Sequence, residues 1–200
     1  MSDFGGLAVV PRRRTHFLPG NIELSGVEVM LVNALSRETV MRNVLHRLKD
    51  NYDYIIVDCM PSLGLMTINS LVAADGVIIP SQPNYLSTKG LNLLLRSISR
   101  VRRQINHRLN IDGILFTMVD SRTNNARSII SAMRTTVGDQ IKVFGTEIPR
   151  SVRAVEASEA GKSIFAHDQQ GKVAQAYKSL TKEVANIDRE TYRSRSDGAR

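Results

Sequence analysis

Asp58 closes a short apolar run, Tyr54-Ile-Ile-Val57, and is the residue best placed in this sequence to do chemistry. A carboxylate at the end of a buried strand is how phosphate-handling folds hold magnesium, because a hard cation takes carboxylate and water oxygens. The same pattern arises wherever a buried strand leaves a core, so Asp58 alone carries little weight. Such a site also needs Gly-x-x-x-x-Gly-Lys-Ser/Thr between a strand and a helix, where backbone amides cradle phosphates. The Gly-Lys-Ser at 161–163 has Glu156 five positions before its glycine and follows a helical pattern. It is expected to be a decoy. Gly5-Gly6 is followed by no lysine, so no phosphate cradle is expected anywhere in these residues.

Other site chemistries find less support. His16, His46, His107 and His167 are scattered without metal-ligand spacing, and no Gly-x-Ser-x-Gly elbow is present. Cys59, the sole cysteine, sits beside a carboxylate that disfavours the thiolate, so a buried structural thiol is expected rather than a nucleophile. A single cysteine also excludes an internal disulfide framework and fits a reducing compartment. The arginines say more. Lys and Arg total 27 against 19 acidic residues, giving a net charge of +8, and only seven of the 27 are lysines. Arg is the better bidentate ligand for phosphate, so a polyanionic partner is expected. Arg96, Arg100 and Arg103 fall on one helix face, with Arg102 and Arg108 close by. That face equally suits the solvated side of an amphipathic helix.

The elements that would position these residues alternate in a regular order. Strands are expected at Tyr54–Asp58, Gly76–Pro80, Asp112–Val119 and Lys142–Ile148, each a short run rich in apolar residues. Helical spacing covers Gly64–Ala74, a long segment capped by Ser87 and reaching Ile105, then Asn124–Val137, a stretch after Ser151, and Lys172–Ile187. Two earlier helices are expected, Asn21–Leu35 and Arg37–Leu48, the second capped by Ser36. Strands alternating with helices imply βαβ units, so the fold class is α/β, a doubly wound, mainly parallel sheet. Ligands then lie at the carboxyl ends of the strands, an edge expected to carry Asp58, Cys59, Met60, Ser81, Gln82, Thr117, Asp120 and Pro149. An apolar share of 42% with 23% charged residues argues against wholesale disorder. No apolar run approaches the ~18 residues of a membrane span, and the start lacks the order of a signal peptide, so a cytoplasmic protein is expected.

As a set, several segments resemble the ParA/Soj-type partition ATPases. Asp53-Tyr-Ile-Ile-Val-Asp-Cys-Met-Pro-Ser-Leu-Gly64 is similar to that family's Walker B segment, with Met60 in place of the usual Pro. Phe17–Ser25, Ala73–Pro80, Thr117–Thr123, Glu147–Arg150, Glu159–Ser163, and Ala176-Tyr177 with Glu183 follow in the family's order. The resemblance covers residues 17–187, flanked by basic tails at 1–16 and 188–200. It departs at the front: the family's deviant Walker A loop and its switch aspartate are absent. An ATPase domain lacking its first βαβ unit is therefore expected, truncated at the N-terminus.

The resemblance implies roles residue by residue. Asp58 matches the carboxylate that contacts magnesium through water, while Thr117, Met118, Pro149 and Arg150 lie where the family packs its adenine. Arg122, Arg150 and Arg153 fall in or near segments that bear nonspecific DNA contacts. It implies ATP and Mg as cofactors, a homodimer, a ParB-type partner and a nucleoid-associated place in the cytoplasm, with no membrane role. The expected function is chromosome or plasmid partitioning by a chain that is catalytically incomplete. The alternatives are a non-catalytic DNA- or partner-binding module and a split ATPase completed by a second chain. Loss of a central strand predicts marginal stability and a tendency to aggregate.

Overall fold

A run of β-branched residues becomes a strand only where another strand accepts its hydrogen bonds, and that condition divides this molecule. In the computed structural model the described residues are 10–12, 15–18, 20, 23–60 and 64–197. The chain forms two compact units, Met1–Ala73 and Ala74–Arg200. The resemblance segment at Pro61–Leu63 and the start of the first expected helix lie outside the described residues.

The first unit is mainly helical. A two-stranded antiparallel hairpin, β1 (Val10–Arg12) and β2 (Thr15–Phe17), precedes α1 (Glu23–Leu31). A 3-10 turn at Arg37–Thr39 leads into α2 (Val40–His46), and α3 (Leu65–Ala73) packs on α2. Ser36 does not cap the second helix as expected: it is left-handed at φ 53° with no capping hydrogen bond. Buried Asn69 on α3 fastens this corner instead. Its amide donates to the Arg37 carbonyl (2.8 Å) and the Leu65 carbonyl (3.1 Å), and its oxygen accepts from the Met41 N–H (3.1 Å). One side chain thereby satisfies an orphan donor in the first turn of α2.

The expected strand at Tyr54–Asp58 is absent. Residues 54–60 carry no regular element and are exposed, Ile56 at 90%. Among the described residues no strand lies alongside this run, so its backbone groups have no ladder to join. The apolar sequence is strand-like; the neighbour is what is lacking.

The second unit is the α/β part. β3 (Gly76–Ser81) pairs in parallel with β4 (Asn110–Phe116), and α4 (Tyr85–Gln104) forms the crossover between them. α4 is capped by Asn84, whose side chain accepts from the Ser87 N–H at 2.9 Å, so Ser87 is not the cap. After α5 (Asn124–Val137) the chain returns along β4 through two isolated parallel bridges, Ile114 with Val143 and Val119 with Pro149. The expected strand at Lys142–Ile148 is thus a broken one. Helices α6 (Val152–Glu159), α7 (Ile164–His167) and α8 (Lys172–Asp197) complete the unit, so residues 188–197 are helical.

Leu115, Phe144, Ile148, Val173 and Ile187 form a core with Ile164, Leu180 and Val184 packed against it. Successive strand residues face opposite ways, so Ile114 and Phe116, also fully buried, turn to the other side of β4. Gly113 lets the return path approach: its φ is +152°, and a Cβ there would lie 2.9 Å from the Lys142 carbonyl oxygen and 2.9 Å from the Phe144 ring. The opposing register slips beside it, between Val77 and Ile78.

Candidate functional site

Parallel strands end on one edge, and four residues singled out in the sequence meet there. The Thr117 N–H donates to the Ser81 carbonyl (2.9 Å), joining the ends of β3 and β4. Met118 turns the chain with φ 52° and stays largely exposed, its sulfur within 3.3 Å of Gln82 Nε2. The Val119 N–H then donates to the Ile148 carbonyl (3.0 Å), and the Arg150 N–H to the Val119 carbonyl (3.1 Å). Thr117, Met118, Pro149 and Arg150 therefore share an edge. Asp58 lies in the first unit.

Asp120 adds charge to this edge. Arg122 grips its carboxylate with both guanidinium ends, Nε to Oδ1 at 2.9 Å and Nη2 to Oδ2 at 2.8 Å, and adds its backbone N–H at 3.1 Å. Those hydrogen bonds, with the Arg122 and Arg150 charges, bring the Asp120 carboxyl down to about 2. Thr123 accepts from Ala126 N–H as the cap of α5, which fixes the turn that Asp120 begins.

The arginines fall into two groups. Arg122 is paired with Asp120, and Arg153 with Glu156 at 3.0 Å. Arg96, Arg100 and Arg103 line one groove on α4 with Asn92, Leu95 and Ser99, and among the described residues none of the three meets a carboxylate. Arg150 is exposed beside the sheet edge. Free guanidiniums on one exposed face leave their full charge for a polyanion.

Gly161-Lys162-Ser163 is helix punctuation. Gly161 takes φ 60° after α6, its N–H donates to the Ser158 carbonyl (3.0 Å), and the Lys162 N–H reaches back to the Ala157 carbonyl (2.9 Å). This pair of bonds is a Schellman stop. Ser163 then caps α7 by accepting from the Ala166 N–H. Glu156, where a phosphate loop needs glycine, lies inside α6. The His167 ring and the Arg153 guanidinium hold its carboxyl below the ordinary range.

Cys59 is exposed, which corrects the expectation of a buried thiol: the run that carries it forms no strand and stands exposed. Asp58 stands in the same exposed stretch, and among the described residues no three His, Cys, Asp or Glu side chains gather to hold a metal. Asp58 is thus one exposed carboxylate of the first unit, outside any such cluster of described residues. Within the second unit, the residues brought together are those of the edge at Thr117–Arg150.

Sequence reasoning missed two ties behind that edge. Arg134 on α5 donates to the Phe144 carbonyl (3.1 Å) and the Glu147 carboxylate (3.2 Å). Glu183 on α8 accepts from the N–H groups of Gly145 (3.0 Å) and Thr146 (2.8 Å) and from the Thr146 hydroxyl. Burial pushes the Glu183 carboxyl up, but those bonds and Lys142 outweigh it and leave it below its ordinary value. Only the position of Glu183 beside Ala176-Tyr177 in the motif order hinted at a role.

The family model described as AAA domain matches residues 8–111. The sporulation initiation inhibitor protein Soj of Bacillus subtilis is 45% identical over 168 residues, covering 84% of this chain and 66% of that protein. The chromosome-partitioning ATPase Soj of Treponema pallidum is 41% identical over 182 residues, covering 91% of this chain and 71% of that protein. Among solved structures, cobyrinic acid a,c-diamide synthase from Mycobacterium smegmatis superposes with a TM-score of 0.69 at 34% identity. That match covers 85% of this chain and 62% of that one. The same enzyme is known with a bound ATP analogue and magnesium. The chain thus spans about two thirds of the length of the relatives it matches.

Proposed function

The chain belongs to the ParA/Soj family of chromosome-partitioning ATPases, and from that premise we propose that it serves chromosome or plasmid partitioning as a DNA-riding component. The observation that carries this reading is the α4 face, where Arg96, Arg100 and Arg103 are exposed and, among the described residues, meet no carboxylate. Phosphate contacts of this kind position a protein without reading bases, so the DNA is bound without sequence preference. Arg122, Arg150 and Arg153 would add phosphate contacts of their own once phosphate competes with Asp120 and Glu156 for two of them. A ParB-type partner and a homodimer belong to the same reading.

Nucleotide enters this proposal through the sheet edge. Thr117, Met118, Pro149 and Arg150 would take the adenine, and Asp58 would face magnesium through water where a phosphate loop completes the site. Positioning and charge stabilisation of the transferred phosphoryl group are most of that catalysis, and these 200 residues contain no such loop. By themselves they are expected to turn over no ATP. Hydrolysis that vanishes in Asp58→Ala would overturn that part.

The DNA reading is tested by titrating duplexes of unrelated sequence at several salt concentrations. Each phosphate contact adds about 0.9 to the slope of log affinity against log salt, so R96A/R100A/R103A should flatten it by up to about 2.7. Unchanged affinity and slope in the triple variant would clear α4 of the role.

A further inference from the structure

The return path along β4 breaks its ladder at one place, and what replaces the ladder is informative. The bridge between Ile114 and Val143 has its regular bonds, Ile114 N–H to the Lys142 carbonyl and Phe144 N–H to the Ile114 carbonyl, both 2.9 Å. A parallel ladder would next send the Thr146 N–H to the Phe116 carbonyl. That carbonyl instead receives the Ile148 N–H (2.9 Å), two residues further on. The chain therefore carries two extra residues past Phe116, and their polar groups need other partners.

Glu183 and Arg134 are those partners. The Glu183 carboxylate takes the N–H groups of Gly145 and Thr146 together with the Thr146 hydroxyl. The Arg134 guanidinium takes the Phe144 carbonyl and pairs with Glu147. An anionic acceptor on two consecutive amides is among the stronger hydrogen-bonding arrangements available to a protein. It sits on α8, whose Val173, Val184 and Ile187 pack in the same core as Phe144 and Ile148, so the anchor is rigidly mounted. Immediately downstream lie Ile148, Pro149 and Arg150, whose bonds to Phe116 and Val119 set the sheet edge.

We propose that Glu183 is a positioning residue for the nucleotide base: by holding Gly145 and Thr146 in place of the β4 ladder, it fixes where Pro149 and Arg150 stand against Val119. This rests on reading that edge as the adenine side of the site. A carboxylate some 35 residues away in sequence thereby governs a loop it does not touch, and α8 becomes part of the binding edge.

The test uses the full chain, with amide hydrogen exchange read residue by residue in Glu183→Ala and Glu183→Gln. In Glu183→Ala, protection should fall by about tenfold or more at Gly145 and Thr146, and also at Ile148, Val119 and Arg150. Ile114 and Phe144, held by the intact bridge, should keep theirs. Glu183→Gln retains an acceptor and should recover part of the loss, which also decides the matter if the alanine variant fails to fold. Loss confined to Gly145 and Thr146 in either variant, with Val119 and Arg150 unchanged, would overturn the proposal. Adenosine titration separates the underlying reading. Wild-type binding weakened about tenfold in Glu183→Ala supports both, whereas no wild-type binding sinks the adenine reading and leaves the exchange result to decide the positioning role.

Discussion

Tyr54–Val57 and Gly76–Ile79 are close chemical relatives, each a few residues rich in isoleucine and valine, yet they end in opposite states. Ile56 is 90% exposed on a run without regular structure, while Ile79 is 3% exposed within β3. β3 has β4 beside it over six residues, and β4 has the return path through Val143 and Pro149. The first run has no such neighbour among the described residues. The difference teaches that β-branched residues describe a surface suited to a sheet rather than a strand in its own right.

The comparison breaks most easily at the return path. Phe144 is fully buried against β4, so Phe144→Ala should cost about 3–5 kcal/mol in urea denaturation; under 1 would mean that β3 and β4 need no such support. Gly113→Ala comes next. Its Cβ would meet a backbone carbonyl at 2.9 Å at a positive φ, a strain worth about 1–3 kcal/mol, and a neutral result would show that the return path can shift aside. Ile56→Ala should stay within about 0.5 kcal/mol, and a cost above that would show the run to be packed. The smallest effect is electrostatic. Asp120 is depressed to about 2 from 3.8, so its pairing with Arg122 contributes fully above the ordinary carboxylate value and is lost as pH falls through about 2. A carboxyl NMR titration midpoint near 3.8 would show that Arg122 does not hold it in solution.

What could be read in advance followed the range of its cause. The helix read at Asn124–Val137 is found there as α5, because its apolar period is local. α3 was equally legible, while the cap of α4 moved from Ser87 to Asn84, both of a suitable residue type. The broken strand at 142–150 was not legible, since its two extra residues answer to Arg134 and Glu183, each distant in sequence. At the candidate site, Thr117 and Pro149, both expected at the carboxyl ends of the strands, share that edge with Met118 and Arg150. Asp58 and Cys59 did not take up the expected strand end, because that strand depends on a neighbour their own residues do not supply. The pairing of Arg122 with Asp120 was two positions away in sequence and still invisible, since it turns on the conformation of one bend.

Cys59, exposed on the bare run and the sole cysteine of the chain, makes that run a built-in reporter. A thiol-reactive fluorophore would attach at this one position with no residue replaced. Its labelling rate and emission would then follow, in real time, whether Tyr54–Met60 stands in water or has been taken up into a sheet.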